Sequence, residues 1–164
     1  MSLMEEVPMI IKKSDIESMQ GLTKAHFLNE NAVRNNKSLG DFAGLKSLGF
    51  HLIEIEPGHE STEYHSHEYE DECVYILSGE ATATIGDKDY QVSAGDFIGH
   101  PAGGEAHTMK NTGQDKLVCI VAGQRLPHDV ADYPHLGKRL FRNTGASELV
   151  DVDNISNVKI GKKS

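Results

Sequence analysis

The stretch "GHESTEYHSHEYEDECVYILSG", residues 58 to 79, concentrates the groups able to do chemistry. His65 and His67 stand at i and i+2, so on a strand both imidazoles leave the same face. Glu72 opens "ECVYIL", where residues 72, 74 and 76 share a face. Val74 and Ile76 mark that face as inward, so Glu72 points inward with them. If the two segments adjoin, its carboxylate aims at the imidazoles. His107 opens a further strand, with Met109 and Asn111 on its face. Three imidazoles and one carboxylate would make a mixed nitrogen and oxygen site. Such a set suits Fe, Mn, Ni, Zn, Co or Cu and does not select among them. The plainer alternative is a solvated polar loop that carries two histidines.

Other residues near this stretch have two readings each. Glu68, Glu70 and Asp71 read as a solvated acidic turn, with a base or a partner to a ligand as the alternative. His100, in "FIGHPAGG", is a candidate acid or base at a pocket mouth, or a rim histidine. Tyr64, Glu105, Arg125 and Tyr133 are candidate substrate contacts, and Tyr64 and Glu105 join His100 as candidates for catalysis. Arg125 suits a carboxylate or phosphate; a surface ion pair is its ordinary role. His51 shares a face with Ile53 and Ile55 and reads as a core or interface histidine. Cys73 alternates with Glu72, so it faces away from the cluster and reads as a packing residue. No Ser-His-Asp order and no phosphate-binding glycine loop can be read from the sequence.

The elements that must position these groups are short strands. "SLGFHLIEIEPG" alternates and closes at Pro57-Gly58. "EATATIGDKDYQVSAGD" predicts a hairpin with its turn at "GDK". "FIGHPAGG" is a short strand ended by Pro and Gly. "AHTMKNTGQDKLVCIVAG" predicts a second hairpin, turning at Asn111-Thr112-Gly113. "KRLFR" and "SELVDVD" read as short edge strands. Before residue 40 the pattern is weak: "SDIESMQ" suggests a capped helical turn, Ser14 preceding Glu17 at capping-box spacing. "FLNENAVRNNKSLGD" reads as loop. Turn signals every 8 to 12 residues and the lack of a long helical stretch predict an all-β sandwich or barrel. The expected organisation is an arm over 1–40, a barrel over 41–125 and an extension over 126–164 that packs on the barrel.

Composition narrows the partners. With 164 residues the chain has length for one domain with a real core. Sixteen basic and 25 acidic residues give a net charge of -9, which argues against nucleic acid and anionic membrane surfaces. No apolar run approaches the roughly 20 residues of a membrane span. The N-terminus lacks the basic and apolar regions of a signal peptide, and "MSL" before a second Met reads as a cloning remnant. Cys73 and Cys119 are too few and too far apart for a disulfide framework, which predicts a reduced, cytoplasmic protein.

The order of these features resembles the cupin superfamily. Gly58, His65, His67, Glu72 and Gly79 fill its first motif in register. Gly95, Pro101, Gly103, His107 and Asn111 fill its second, with one residue more between Gly103 and His107 than the commonest form. The likeness spans about residues 48 to 123. "HSHEYEDECVYILSGE", "GDFIGHPAGGEAHTMKN" and "GQRLPHDVADYPHLGKRLFR" look like small single-domain bacterial cupins, some carrying sugar-phosphate isomerase labels by analogy. The resemblance implies a double-stranded β-helix, or jelly-roll barrel, with extensions at both ends. It implies His65, His67, Glu72 and His107 as ligands of one divalent transition metal per chain. A homodimer follows by the same likeness, since such barrels pair through sheet edges and N-terminal arms.

Three classes of function compete. An enzyme would use the metal to isomerise, cleave or oxygenate a small polar molecule; an oxygenase needs a redox metal such as Fe, whereas an isomerase can use Zn or Mn. A non-catalytic module would hold a sugar or organic acid in the same pocket. A storage role fits a single acidic barrel with an intact ligand set poorly.

Overall fold

The computed structural model describes residues 7–161; the "MSL" segment lies outside them. A short helix, α1 (Lys13–Ser18), precedes β1 (Leu22–His26) and β2 (Asn29–Lys37). One further helical turn, α2 (Leu39–Phe42), leads to β3 (Leu48–Ile55), β4 (Ser66–His67), β5 (Glu72–Ser78), β6 (Glu80–Ile85) and β7 (Lys88–Ser93). Then come β8 (Phe97–His100), β9 (His107–Asn111), β10 (Leu117–Gln124), β11 (His128–Tyr133), β12 (Lys138–Asn143) and β13 (Ala146–Asp151). The fold is all-β. One sheet runs β1-β2-β3-β10-β5-β8, a second β13-β12-β11-β4 and a third β7-β6-β9, with every pairing antiparallel.

Alternation builds the core. Ile53 and Ile55 of β3, Val74 and Ile76 of β5, and Leu117 and Cys119 of β10 face Ala81 and Ala83 of β6 and Met109 of β9. The two alanines leave room for the larger side chains across the barrel. Burial pushes the Cys119 thiol up to about 12, which leaves it an unreactive packing group. Gly79 closes the turn from β5 to β6 at φ +91°, where a Cβ would lie 2.9 Å from the Leu117 Cα, so only glycine serves.

Four sequence expectations need correction. The Asn-rich segment is not loop: β2 pairs with β3 and with β1, so it extends the six-stranded sheet. Its alternate residues Ala32, Arg34 and Asn36 line cavities rather than the apolar core, which removed the hydrophobic alternation. The predicted hairpin at Asn111 is a sheet crossover, because β9 pairs with β6 while β10 pairs with β3 and β5. The "KRLFR" strand, β12, lies between β11 and β13 instead of at an edge. In α1 the reciprocal cap comes from Asp15, whose carboxylate accepts from the Lys12 N–H at 3.2 Å; Ser14 lies inside the helix.

Asn111 holds the crossover. Its side chain is fully buried; Nδ2 donates to Ile55 O at 2.8 Å and to Asp115 O at 2.9 Å, and Oδ1 accepts from Gly113 N at 3.0 Å. Replacing it leaves two carbonyls and one amide without those partners. Asn111→Ala is expected to lower the unfolding free energy by about 2–4 kcal/mol, since each buried group left unpaired costs about 1–3 kcal/mol. Urea denaturation would show a lower midpoint at unchanged slope; an unchanged midpoint would contradict this role.

Candidate metal centre

The centre forms where the segment before β4 meets β9. His65 and His107 exchange two backbone hydrogen bonds, His65 N to His107 O at 3.1 Å and His107 N to His65 O at 2.8 Å. The exchange sets their rings side by side, with centroids 4.8 Å apart. One residue pair later the chain joins β11, where His67 pairs with Ala131. His67 shares a face with His65 as expected, and their Nε2 atoms stand 3.1 Å apart. Glu72, at the start of β5, reaches in from the opposite sheet with Oε1 3.6 Å from His107 Nε2. His65 and His107 are buried, and His67 and Glu72 are half-buried.

The other ring nitrogen of each histidine fixes its tautomer. His65 Nδ1 donates to Glu63 O at 2.8 Å, His107 Nδ1 to Glu105 O at 3.3 Å, and His67 Nδ1 to the Asp129 carboxylate at 2.6 Å. In the neutral ring each Nε2 is then a bare lone pair. Two such lone pairs face one another across 3.1 Å, and His107 Nε2 is buried with no hydrogen-bond partner. Adjacent donors to one ion lie about 3 Å apart when each bond is about 2.1 Å, so these spacings fit a shared cation. Bare nitrogen and oxygen donors facing one another in a buried pocket fit a transition metal and oppose an empty apolar role.

Electrostatics point the same way. Burial pushes the His65 imidazole down to about 3, helped by His107 and His67 beside it. Burial likewise pushes His100 down to about 4, with His107 adding to the shift. For Glu72 burial works upward, but the His107 hydrogen bond, and the field of His65, His107 and His67 whenever those rings carry a proton, outweigh it and hold the carboxyl down, to about 2.

Three residues outside the expected ligand set complete the surroundings. Asp129 of β11 also accepts from Tyr69 N at 3.1 Å, so its carboxylate is anchored while it orients His67. Arg142 of β12, directly opposite Asp129 in register, pairs with Glu70 and lies 3.5 Å from Asp129. Glu70 is buried and accepts from Leu126 N at 2.6 Å, so it is not part of a solvated turn. Asp129 and Arg142 lie in the quoted stretch "GQRLPHDVADYPHLGKRLFR", which the sequence alone tied to no chemistry, and the pairing of β11 with β4 and β12 brings them to the centre. The donors of His67, Glu70 and Asp129 lie within 4.8 Å of one another, as do those of Glu72, His100 and His107.

The remaining candidates separate. His100 enters the centre, its ring stacked on His107 with centroids 3.4 Å apart. Tyr133 is buried with its ring 6.0 Å from His65. Tyr64 stacks on His135 and donates to Gly86 O at 3.1 Å, and Glu105 is exposed with its carboxylate against Gly86. Arg125 makes a two-pronged pair with Asp41 at the edge of a larger cavity. Cys73 is half-buried and pairs with Gly99, on the face away from Glu72. A small cavity of about 30 Å³, room for a water or two, is lined by Glu72, His100, His107 and Arg34 among others.

Comparison with known proteins agrees with the fold and the motifs. Residues 51–123 match the Cupin domain family. A protein of Thermotoga maritima named an oxalate-binding protein is 33% identical over 122 residues, which cover 69% of this chain and 91% of that protein. The chain belongs to the cupin family. A crystal structure from Acidithiobacillus ferrooxidans, of a protein provisionally named a sugar phosphate isomerase, is 51% identical. It covers 93% of this chain and 97% of that one at a TM-score of 0.90. Another, from Silicibacter pomeroyi and named a sugar phosphate isomerase from a cupin superfamily, covers 88% and 95% at a TM-score of 0.78. At 24% identity this second likeness concerns the fold alone.

Two measurements test the centre. Asp129→Ala is expected to weaken metal binding about 10- to 100-fold in a competition titration, because the His67 ring loses its anchor; unchanged affinity would remove Asp129 from the site. The depressed groups also set a pH dependence for metal-free protein. His65 and His100 have ordinary values of 6.5 and folded values of about 3 and about 4. Below about pH 6.5 the unfolded chain binds protons there that the folded chain refuses, so stability falls as pH falls. Glu72, lowered from 4.5 to about 2, adds to the loss below about pH 4.5 with the same sign. The Tm is expected to drop steadily from about pH 7 to about pH 4; a flat Tm would contradict the burial of uncharged imidazoles.

Proposed function

We propose that this cupin holds one divalent transition metal per chain through His65, His67, Glu72 and His107 and acts with it on a small polar molecule. The single observation that carries this is the pairing of donors in one pocket: His65 Nε2 lies 3.1 Å from His67 Nε2, and His107 Nε2, buried and without a hydrogen-bond partner, lies 3.6 Å from the Glu72 carboxylate. Bound there, the metal would supply Lewis acidity toward a substrate oxygen. The chain's own residues do the rest. Glu63, Asp129 and Glu105 accept the Nδ1 protons and keep the donors aimed inward. His100, unprotonated at neutral pH and lining the same small cavity, is placed to take up a proton from a bound molecule. Metal-assisted isomerase, lyase or dioxygenase chemistry is compatible with this set. The 51% identity over nearly the whole chain to the protein provisionally named a sugar phosphate isomerase favours the first.

A second reading has its own support. The relative of Thermotoga maritima is named for binding oxalate, which favours ligand capture without turnover. The same pocket would then hold a sugar or organic acid on the metal. We also propose that the chain works as a cytoplasmic homodimer. No described helix is long and apolar enough to cross a membrane, and both cysteines are free. Leu52, Ile120, Tyr75 and Phe97 stand opposite one another in register across β3, β10, β5 and β8, and Tyr75 and Phe97 are exposed. Such a row on the outer sheet face suits a second copy.

The test is metal content by mass spectrometry on protein purified without a tag or chelator. About one ion per chain is expected in the wild type, and a large loss in His65→Ala and His67→Ala. Wild-type metal content in both variants would make the ligand assignment wrong. Iron would direct substrate screens to oxygen consumption, and zinc, manganese or nickel to isomerisation of sugars and sugar phosphates.

A further inference from the structure

We propose, building on this metal centre, that the cavity beside it is a receptor for an oxyanion, carboxylate or phosphate, with Arg34 of β2 as the residue that binds it. Arg34 lines the small cavity together with Glu72, His100 and His107. It also lines a larger cavity of about 300 Å³ with Lys24, His51, Glu72 and Arg125. That volume sits at the lower end of the range for small-molecule sites. Glu72 and Arg34 line both cavities, so a molecule in the larger one lies beside the guanidinium and beside Glu72, the one candidate ligand that the two cavities share.

The cations of this cavity stand close to one another. Lys24 and Arg34 are direct partners across β1 and β2. Opposed residues of an antiparallel pair leave the same face, and like charges placed so destabilise the pair. Both line the same cavity. Among the described residues neither is in an ion pair with a carboxylate. The third cation, Arg125, is already engaged by Asp41. What sets Lys24 and Arg34 apart is that they are opposed in register and line one cavity with no carboxylate paired to either. An anion between Lys24 and Arg34 removes the repulsion.

Arg34 is also held ready. Its Nη1 donates to Ser61 O at 2.8 Å, which leaves the other edge of the planar guanidinium for a ligand. Ser61 belongs to the segment that lies along β9, since Ser61 N donates to Met109 O at 2.7 Å. The same segment continues to His65, so Arg34 is tied to the chain that carries the histidines. A carboxylate and a phosphate both match a guanidinium fork, and the sources are separated by the probe.

The experiment is calorimetric titration of wild type, Arg34→Gln and Arg34→Lys at low salt with two probes, inorganic phosphate and malonate. Metal content and Tm are measured on each sample. Wild type is expected to bind one of the two at one site per chain. Arg34→Gln should weaken that binding about 10- to 100-fold with metal content unchanged, and Arg34→Lys should recover part of the loss. Preference for phosphate assigns a phosphorylated ligand, and preference for malonate assigns an organic acid. Wild-type affinity in Arg34→Gln, or binding of neither probe by the wild type, overturns the proposal. If Arg34→Gln is unfolded, Arg34→Lys decides, because loss of bidentate geometry alone should still weaken binding measurably. Loss of anion binding in Arg34→Gln from protein that takes up no metal would uphold the oxyanion receptor and remove the metal centre.

Discussion

Two backbone hydrogen bonds between His65 and His107 are the constraint on which the site depends. Side chains as short as imidazole cannot seek one another across a barrel; their backbones must be fixed first. The exchange places both rings on the inside at one level, and strand alternation then places His67 beside His65. Glu72 arrives from the opposite sheet because β5 pairs with β10 and β8, which sets its height in the barrel. Asn111 belongs to the same constraint: it pins the chain where β9 ends and the path crosses to β10. The ligand set therefore inherits its geometry from sheet register.

The same logic explains why the C-terminal strands matter. His67 pairs with Ala131, so Asp129, two residues earlier on β11, lies on the same face and diagonally adjacent. Arg142 stands directly opposite Asp129 on β12. The result is a chain of contacts from His67 through Asp129 and Arg142 to Glu70, with each charged group facing an opposite one. A buried carboxylate would resist its surroundings alone. With Arg142 and the Tyr69 amide beside it, the Asp129 carboxylate has partners besides His67 and can fix the tautomer of that ring.

Strand alternation was legible wherever one face meets the apolar core. "ECVYIL" placed Glu72 on the same side as Val74 and Ile76, and the structure has both of these buried in the core. Likeness to the cupin motifs pointed to the barrel as a whole. What could not be read followed from tertiary pairing. β2 has a polar inner face, because Ala32, Arg34 and Asn36 border cavities, and a polar strand looks like loop when only hydrophobic period is read. The turn at Asn111 has hairpin residues, yet its flanking strands join different sheets. Glu70 sits among acidic neighbours that are exposed, and nothing local distinguishes it from them; burial comes from Arg142 and the Leu126 amide. Asp129 and Arg34 act at long range in sequence, so no spacing rule could reach them.

Charge balance connects the two halves of the site. Around the histidines stand three carboxylates, Glu70, Glu72 and Asp129, against one guanidinium, Arg142. Carboxylates outnumber cations there, a surplus that a bound cation would offset. Arg34 and Lys24 lie further out, at the cavity that borders Glu72. A neutral ligand would leave them facing one another across β1 and β2. An anionic ligand with one oxygen toward the metal side and its charge toward Arg34 satisfies both regions at once. Selectivity for such a molecule would come from the N-terminal hairpin, while the barrel motifs would supply the proposed metal ligands. Relatives that share the histidines could therefore differ in what they bind through β1 and β2 alone.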